Sequence, residues 1–195
     1  MASTANDKSN ITIGLPKPGG AIYWAPAGTT LPSDATTALG APFLNLGYVT
    51  EDGLTASLAE DGDDIKVWGP ETVGRSHTGY ARTYTFNLLE TSKVDALKFV
   101  YGDGNVSESG GAITIDETGE PLPRGVLVCE TLQNNSSTTP RYKRQILPDA
   151  QFTDRSGDNV YNNSDPVNYP VTVTAYKTSV SGKNVYTKTY ISALS

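Results

Sequence analysis

From Tyr80 to Leu88 the chain reads Tyr-Ala-Arg-Thr-Tyr-Thr-Phe-Asn-Leu, which places Tyr80, Tyr84, Phe86 and Leu88 on one side of an extended backbone. Successive side chains of a strand point to opposite faces, so a period of two marks a β-strand with one buried side. The same period returns in Pro170–Tyr176, where Val171, Val173 and Ala175 share a face. A chain organised by such segments has to bury one side of a sheet, and mostly antiparallel β structure is expected.

The composition agrees. The 195 residues include 12 Pro and 19 Gly, with Thr, Ser and Asn plentiful, a mixture that favours turns and strands over helices. A mass of 20.7 kDa suits one domain spanning 1–195 with its own core. Mean hydropathy is -0.35, and no run approaches the roughly 18 apolar residues of a membrane span. The polar start, Met1-Ala2-Ser3-Thr4-Ala5-Asn6-Asp7, lacks the basic and apolar regions of a signal peptide.

Along the chain, residues 1–20 read as a flexible N-terminal arm ending in Pro16-Lys17-Pro18-Gly19-Gly20. A short strand over Ala21–Trp24 leads into an extended arm over residues 25–45, in which Ser33 is expected to cap one helical turn over 33–39. Residues 46–195 should form the core. Within it Glu51-Asp52-Gly53 is expected to turn a hairpin between Leu46–Thr50 and Leu54–Leu58, because Asp-Gly pairs favour such turns. A second acidic turn is expected at Glu60–Asp64, followed by alternating Ile65–Trp68. One amphipathic helix is expected near 92–101, with Val94, Leu97, Val100 and Tyr101 at helical spacing, Thr91 or Ser92 as cap and Gly102 as stop. Further strands are expected at Ala112–Ile115, Gly125–Leu132, Arg141–Leu147 and Asn184–Ile191, with polar loops at Gln133–Thr139 and Asp154–Pro166.

Groups for catalysis or metal binding are sparse. The single histidine, His77, lies in the polar stretch Gly74–Gly79 without a nucleophile motif. One cysteine, Cys129, sits in the apolar run Gly125–Cys129 and reads as a buried thiol, so neither a disulfide framework nor an ordinary zinc site is expected. Asp61, Asp63 and Asp64, and Asp103-Gly104-Asn105, begin but do not complete a calcium loop. Acidic pairs of the kind used on glycosides cannot be singled out by spacing alone. With 15 basic against 21 acidic residues, a net charge of -6, and only Arg141-Tyr142-Lys143-Arg144 clustered, the chain does not fit a conventional DNA binder. That cluster reads as a solvated strand or loop. No enzyme activity and no cofactor are expected.

Ala25-Pro26-Ala27-Gly28-Thr29-Thr30-Leu31-Pro32, Leu46-Gly47-Tyr48-Val49-Thr50-Glu51-Asp52-Gly53, Val67-Trp68-Gly69, Phe86–Thr91 and Val100-Tyr101-Gly102 occur in this order over the middle of the chain. In these blocks the sequence resembles the major tail proteins, or tail tube subunits, of long-tailed non-contractile phages (siphoviruses), particularly those of actinobacteria. The resemblance implies an antiparallel β-sandwich or split barrel with one flanking α-helix and extended arms. It also implies hexameric rings that stack into a hollow tube in the virion tail, assembled in the host cytoplasm. The implied partners are further copies of the chain, a tape-measure protein, and tail terminator and distal tail proteins. Double-stranded DNA would pass through transiently.

On that resemblance Trp24, Pro26, Leu31, Pro32 and Tyr48 are candidates for contacts between subunits or rings. Glu51, Asp52, Asp61, Asp63 and Asp64 are candidates for the lumen or for ring contacts, where negative charge repels a DNA backbone near the wall. The alternative reading is a β-sandwich binding module, an adhesin or carbohydrate-binding domain, with Tyr23, Trp24 and Trp68 as its aromatic platform.

Overall fold

A computed structural model describes Asn6 and residues 11–134, 141–155 and 157–192. Among these residues it is mainly β, 54% strand and 6% helix, with antiparallel sheets, one α-helix and no closed barrel. In chain order the elements are β1 (Ile13–Pro16), β2 (Ile22–Pro26), β3 (Leu44–Asn45), β4 (Val49–Lys66), β5 (Thr72–Leu88), α1 (Val94–Tyr101), β6 (Val106–Ser109), β7 (Ala112–Ile115), β8 (Gly125–Asn134), β9 (Arg141–Asp154), β10 (Tyr169–Ala175), β11 (Thr178–Val180), β12 (Lys183–Val185) and β13 (Lys188–Ile191). Nine of them make one sheet in the order β3-β2-β8-β9-β10-β5-β4, with β1 also on β8 and β13 also on β9. The pairs β6–β7 and β11–β12 are separate small hairpins.

Alternation divides the core between the two faces of this sheet. Ile22, Leu127, Cys129, Leu147, Tyr84, Phe86, Leu88, Val171 and Val173 point to the face that α1 covers with Ala96, Leu97, Phe99 and Val100. Ala25, Val126, Val128 and Ile146 point to the other. The half-buried Trp24 joins the helix side, its ring 5.0 Å from that of Phe99. It lies across Gly125, where a Cβ would overlap the indole and stand 2.5 Å from the Ala25 carbonyl oxygen. Only a residue without a side chain fits that approach.

The helix forms where its spacing places it and ends at Gly102, whose φ of 97° takes the backbone out of the helix. Its entry differs from expectation. Neither Thr91 nor Ser92 caps it; Lys93 occupies the cap position without a side-chain bond. Instead the Lys93 N–H donates to the Glu90 carbonyl at 3.2 Å, so a turn feeds the helix.

Several turns expected from the sequence are strand. Val49 pairs with Leu88 and Leu54 with Phe86, so Thr50–Gly53 bulge out opposite Asn87 and the strand continues. Asp-Gly supplies a residue at positive φ (Gly53, 69°), which a bulge uses as readily as a turn. The acidic stretch Glu60–Asp64 is strand as well, paired from Tyr80 to Arg75, and this draws His77 into β5 opposite Gly62. The hairpin reverses only at residues 67–71, where the Val67 N–H donates to the Glu71 carbonyl at 3.2 Å. Val67 and Trp68 thus belong to the turn and not to a strand.

At the termini, Ile13–Pro16 of the expected arm pairs with Asn134–Thr131 of β8. The expected last strand, Asn184–Ile191, is broken in two. Its first part folds back on β11 through Ser181-Gly182, both at positive φ, and its second part joins β9. Gln133 and Asn134 are strand. The rest of the expected loop, residues 135–139, lies outside the described residues, as do 1–5 and 7–10 of the expected N-terminal arm.

Candidate functional site

Residues 27–43 carry no regular structure and lie as a strap over the second face of the sheet, with Leu31, Leu39 and Phe43 packed on Ala25, Val126, Val128 and Ile146. A polar clasp pins it. Arg144, fully buried, donates from Nε to Glu130 Oε1 at 2.7 Å and from Nη2 to the same oxygen. Its Nη1 donates to the Asp34 carbonyl at 2.7 Å and its Nη2 to the Thr37 carbonyl at 2.6 Å. Lys17 Nζ donates to Glu130 Oε2 at 2.8 Å. One buried carboxylate therefore serves two cations, and the spare guanidinium donors are spent on the strap, which satisfies the hydrogen-bonding demand of charges removed from water.

Inside the strap, Asp34 shapes the chain. Its Oδ1 accepts the N–H groups of Thr36 at 2.7 Å and Thr37 at 2.6 Å, and its Oδ2 accepts the Thr37 hydroxyl at 2.6 Å. This side-chain turn replaces the helical turn expected with Ser33 as cap. The Thr37 hydroxyl, then the two N–H groups, favour the charged form and hold the Asp34 carboxyl below the usual carboxylate range.

At the far end of the sheet β4 and β5 form one long hairpin. No described strand pairs with the outer side of β4, so its backbone groups are open to pairing. The hairpin carries Glu51, Asp52, Glu60, Asp61, Asp63, Asp64 and Glu71 against Lys66, Arg75 and Arg82, so much of the excess negative charge of the chain is concentrated there. On the face of β4, β5 and β10 away from α1, register brings Thr55 beside Thr85, Ser57 beside Thr83, and Thr172 and Thr174 beside Thr85 and Thr83. At these positions the face is lined with hydroxyls, and Asp61, at the parity of Ser57 and opposite Gly79, is the first charge along it.

The residues singled out from the sequence are dispersed over these features. Trp24 packs on Phe99 in the core, Leu31 is strap packing, Pro32 is half-buried beside it, and Pro26 is exposed at the end of β2. Tyr48 is 77% exposed, held by its N–H to Glu90 Oε1 at 2.9 Å. Glu51 and Asp52 lie in the exposed bulge, and Asp61, Asp63 and Asp64 are exposed along the hairpin. Tyr23 and Trp24 face opposite sides of the sheet and Trp68 stands at the hairpin tip, so the three do not form one aromatic platform.

Glu130 and Arg144 were missed by sequence reasoning, which placed Arg141–Arg144 on a solvated element. The usable signal was parity: Glu130 follows Val126 and Val128 at even steps, and Arg144 precedes Ile146. Cys129 is buried, its thiol pushed up to about 12 by desolvation. His77 neighbours Tyr80, the ring centroids 6.5 Å apart. Among the described residues no group of three or more His, Cys, Asp or Glu is placed to hold a metal ion, and no helix is long and apolar enough to cross a membrane.

The arrangement offers an open strand edge among the described residues, a projecting hairpin and a strapped sheet. No curated protein matches the chain. The model of one family, described as phage tail tube protein, matches residues 4–190, and the chain belongs to that family, which makes it a structural protein of the virion tail.

Proposed function

We propose that copies of this chain close into hexameric rings and that the rings stack into the hollow tube of a long non-contractile tail, of the actinobacteriophage type. The tube encloses a tape-measure protein during assembly in the host cytoplasm, is capped by terminator and distal tail proteins, and conducts double-stranded DNA into the host. No catalytic step is assigned to it.

The observation that carries this reading is the open outer edge of β4, continuous from Leu54 to Lys66 apart from two irregularities, in a chain of a tail tube family. A bare edge of that length invites aggregation unless another chain covers it, and closure into a ring removes every such edge. Contacts that close within a ring and repeat without closing along its axis produce a tube.

The hydroxyl-lined face of β4, β5 and β10 suits the channel wall. It holds water and offers neither cations to phosphates nor apolar surface to proteins. We assign Glu51, Asp52, Asp61, Asp63 and Asp64 to the lumen or to ring contacts, where their charge acts over a Debye length of roughly 8 Å. The exposed Pro26 and Tyr48, the half-buried Pro32 and the outer side of the strap are assigned to neighbouring subunits, with Leu31 supporting the strap from beneath and Trp24 bracing β2 from the helix side.

Electron microscopy of the concentrated protein, alone and with tail-tip components, tests the reading. Hollow tubes built of six-fold rings are expected. A chain that stays monomeric under both conditions, or that instead binds glycans as a monomer, overturns it.

A further inference from the structure

We propose that Asp52-Gly53, in the bulge of β4, is a site of covalent backbone isomerisation to isoaspartate, and that the fold holds the chain's other two Asp-Gly pairs, Asp61-Gly62 and Asp103-Gly104, unreactive. The site needs no partner chain and does not depend on how copies assemble.

The reaction needs only these two residues and water. The Gly53 main-chain nitrogen attacks Asp52 Cγ, and the new C–N bond closes a five-membered imide. One carboxylate oxygen leaves as water, carrying the amide proton and one proton from solvent. A second water then opens the ring and returns a proton to solvent. Breaking the bond to the Asp52 main-chain carbonyl leaves the peptide running through Cγ, which is isoaspartate. Breaking the bond to Cγ restores aspartate. Glycine favours the attack because no Cβ crowds its nitrogen.

The bulge supplies the freedom that attack requires. No residue of Thr50–Gly53 has a partner in the ladder, while the pairs Val49 with Leu88 and Leu54 with Phe86 hold both sides. Unpaired bulge residues lack a cross-strand bond, and local opening costs least where such bonds are few. Asp52 is exposed, and a Cβ added at Gly53 would meet nothing within 4 Å. Thr50 Oγ1 is buried there without a hydrogen-bond partner, so that side chain does not pin the bulge. The product fits the same place. Its extra main-chain methylene lengthens a segment that already carries surplus residues, so the register on both sides is kept.

The same chemistry is blocked at the other two pairs. Asp61 pairs with Gly79 and Gly62 with His77, and a Cβ at Gly62 would overlap the Ser76 carbonyl oxygen, so this backbone lies tight against β5. Asp103 and Gly104 belong to a 3-10 turn over Asp103–Asn105, closed by the Asn105 N–H on the Gly102 carbonyl at 3.1 Å. Asp103 Oδ1 is also held by Lys98 Nζ at 2.7 Å. Attack at either pair first has to undo these contacts. A subunit of an assembled virion is not resynthesised, so isoaspartate at position 52 accumulates with the age of the protein.

Prolonged incubation of the folded protein at neutral pH, then digestion with an endoproteinase that cuts before aspartate, tests this. That protease does not cut before isoaspartate. Cleavage at Asp52 should therefore be lost progressively, in a peptide of unchanged mass and altered retention, while cleavage at Asp61 and Asp103 stays complete. In urea all three pairs should react. Asp52→Glu, which would have to close a six-membered ring, should abolish the new species, and circular dichroism verifies its folding. Retained cleavage at Asp52 in the folded chain, equal loss at Asp61 or Asp103, or protection of those two that persists in urea overturns the proposal and leaves the tail tube reading untouched.

Discussion

Arg144 on β9 lies opposite Glu130 on β8, in register, with both side chains withdrawn from solvent and the guanidinium bonded to the carboxylate through two nitrogens. Because the same guanidinium also holds the Asp34 and Thr37 carbonyls, this one pair fixes both the sheet and the strap across it.

Removing one partner of a buried pair leaves the other charge stranded. Arg144→Met should therefore destabilise by about 3–5 kcal/mol and lower Tm by roughly 6–20 °C in a chain of this size. Thermal unfolding followed by circular dichroism measures it. The double variant Arg144→Met, Glu130→Leu should recover a large part of the loss; a single variant as stable as the parent refutes the clasp.

Gly125 is required for packing and not for a turn. Gly125→Ala places a Cβ into the Trp24 indole and against the Ala25 carbonyl, so a loss of about 1–3 kcal/mol is expected from forced repacking. Urea denaturation gives the value, and an unchanged midpoint refutes the tight approach.

Cys129 should be inert while the chain is folded. With its thiol pushed up to about 12, almost no thiolate exists at pH 8, so a colourless-to-yellow disulfide reagent should report no free thiol until denaturant is added. The sign for stability follows. A neutral buried thiol is favourable below the unfolded value near 8.5, and that contribution fades as pH rises toward about 12.

The Asp34 carboxylate organises the strap only while charged. Its folded value is depressed, so its contribution is complete above about pH 3.9 and is lost as pH falls through the lower folded value. A carbon-13 titration of the carboxyl should show a midpoint below 3.9, and Asp34→Ala should expose the Thr36 and Thr37 amides to exchange at neutral pH. A midpoint in the ordinary range removes this account of the strap.

The sequence by itself determined the alternating strands at Tyr80–Leu88 and Val171–Ala175 with their buried faces, and where the α-helix lies. Period two in Tyr80–Leu88 and Val171–Ala175, and helical spacing from Val94 to Tyr101, are local rules that hold wherever the segment ends up. It also carried the family, through blocks such as Leu46–Gly53.

Only the tertiary structure decided what the punctuation means. Asp52-Gly53 became a bulge because Phe86 and Leu88 fix the register on both sides of it, and the same long pairing turned the acidic stretch Glu60–Asp64 into a projecting hairpin. Arg144 reads as a surface charge until Glu130, 14 residues away, and the strap carbonyls, more than 100 residues away, are brought to it. Turn propensity and charge are properties of a few residues, whereas register and burial are set by partners distant in the chain, and no local pattern encodes which partner arrives.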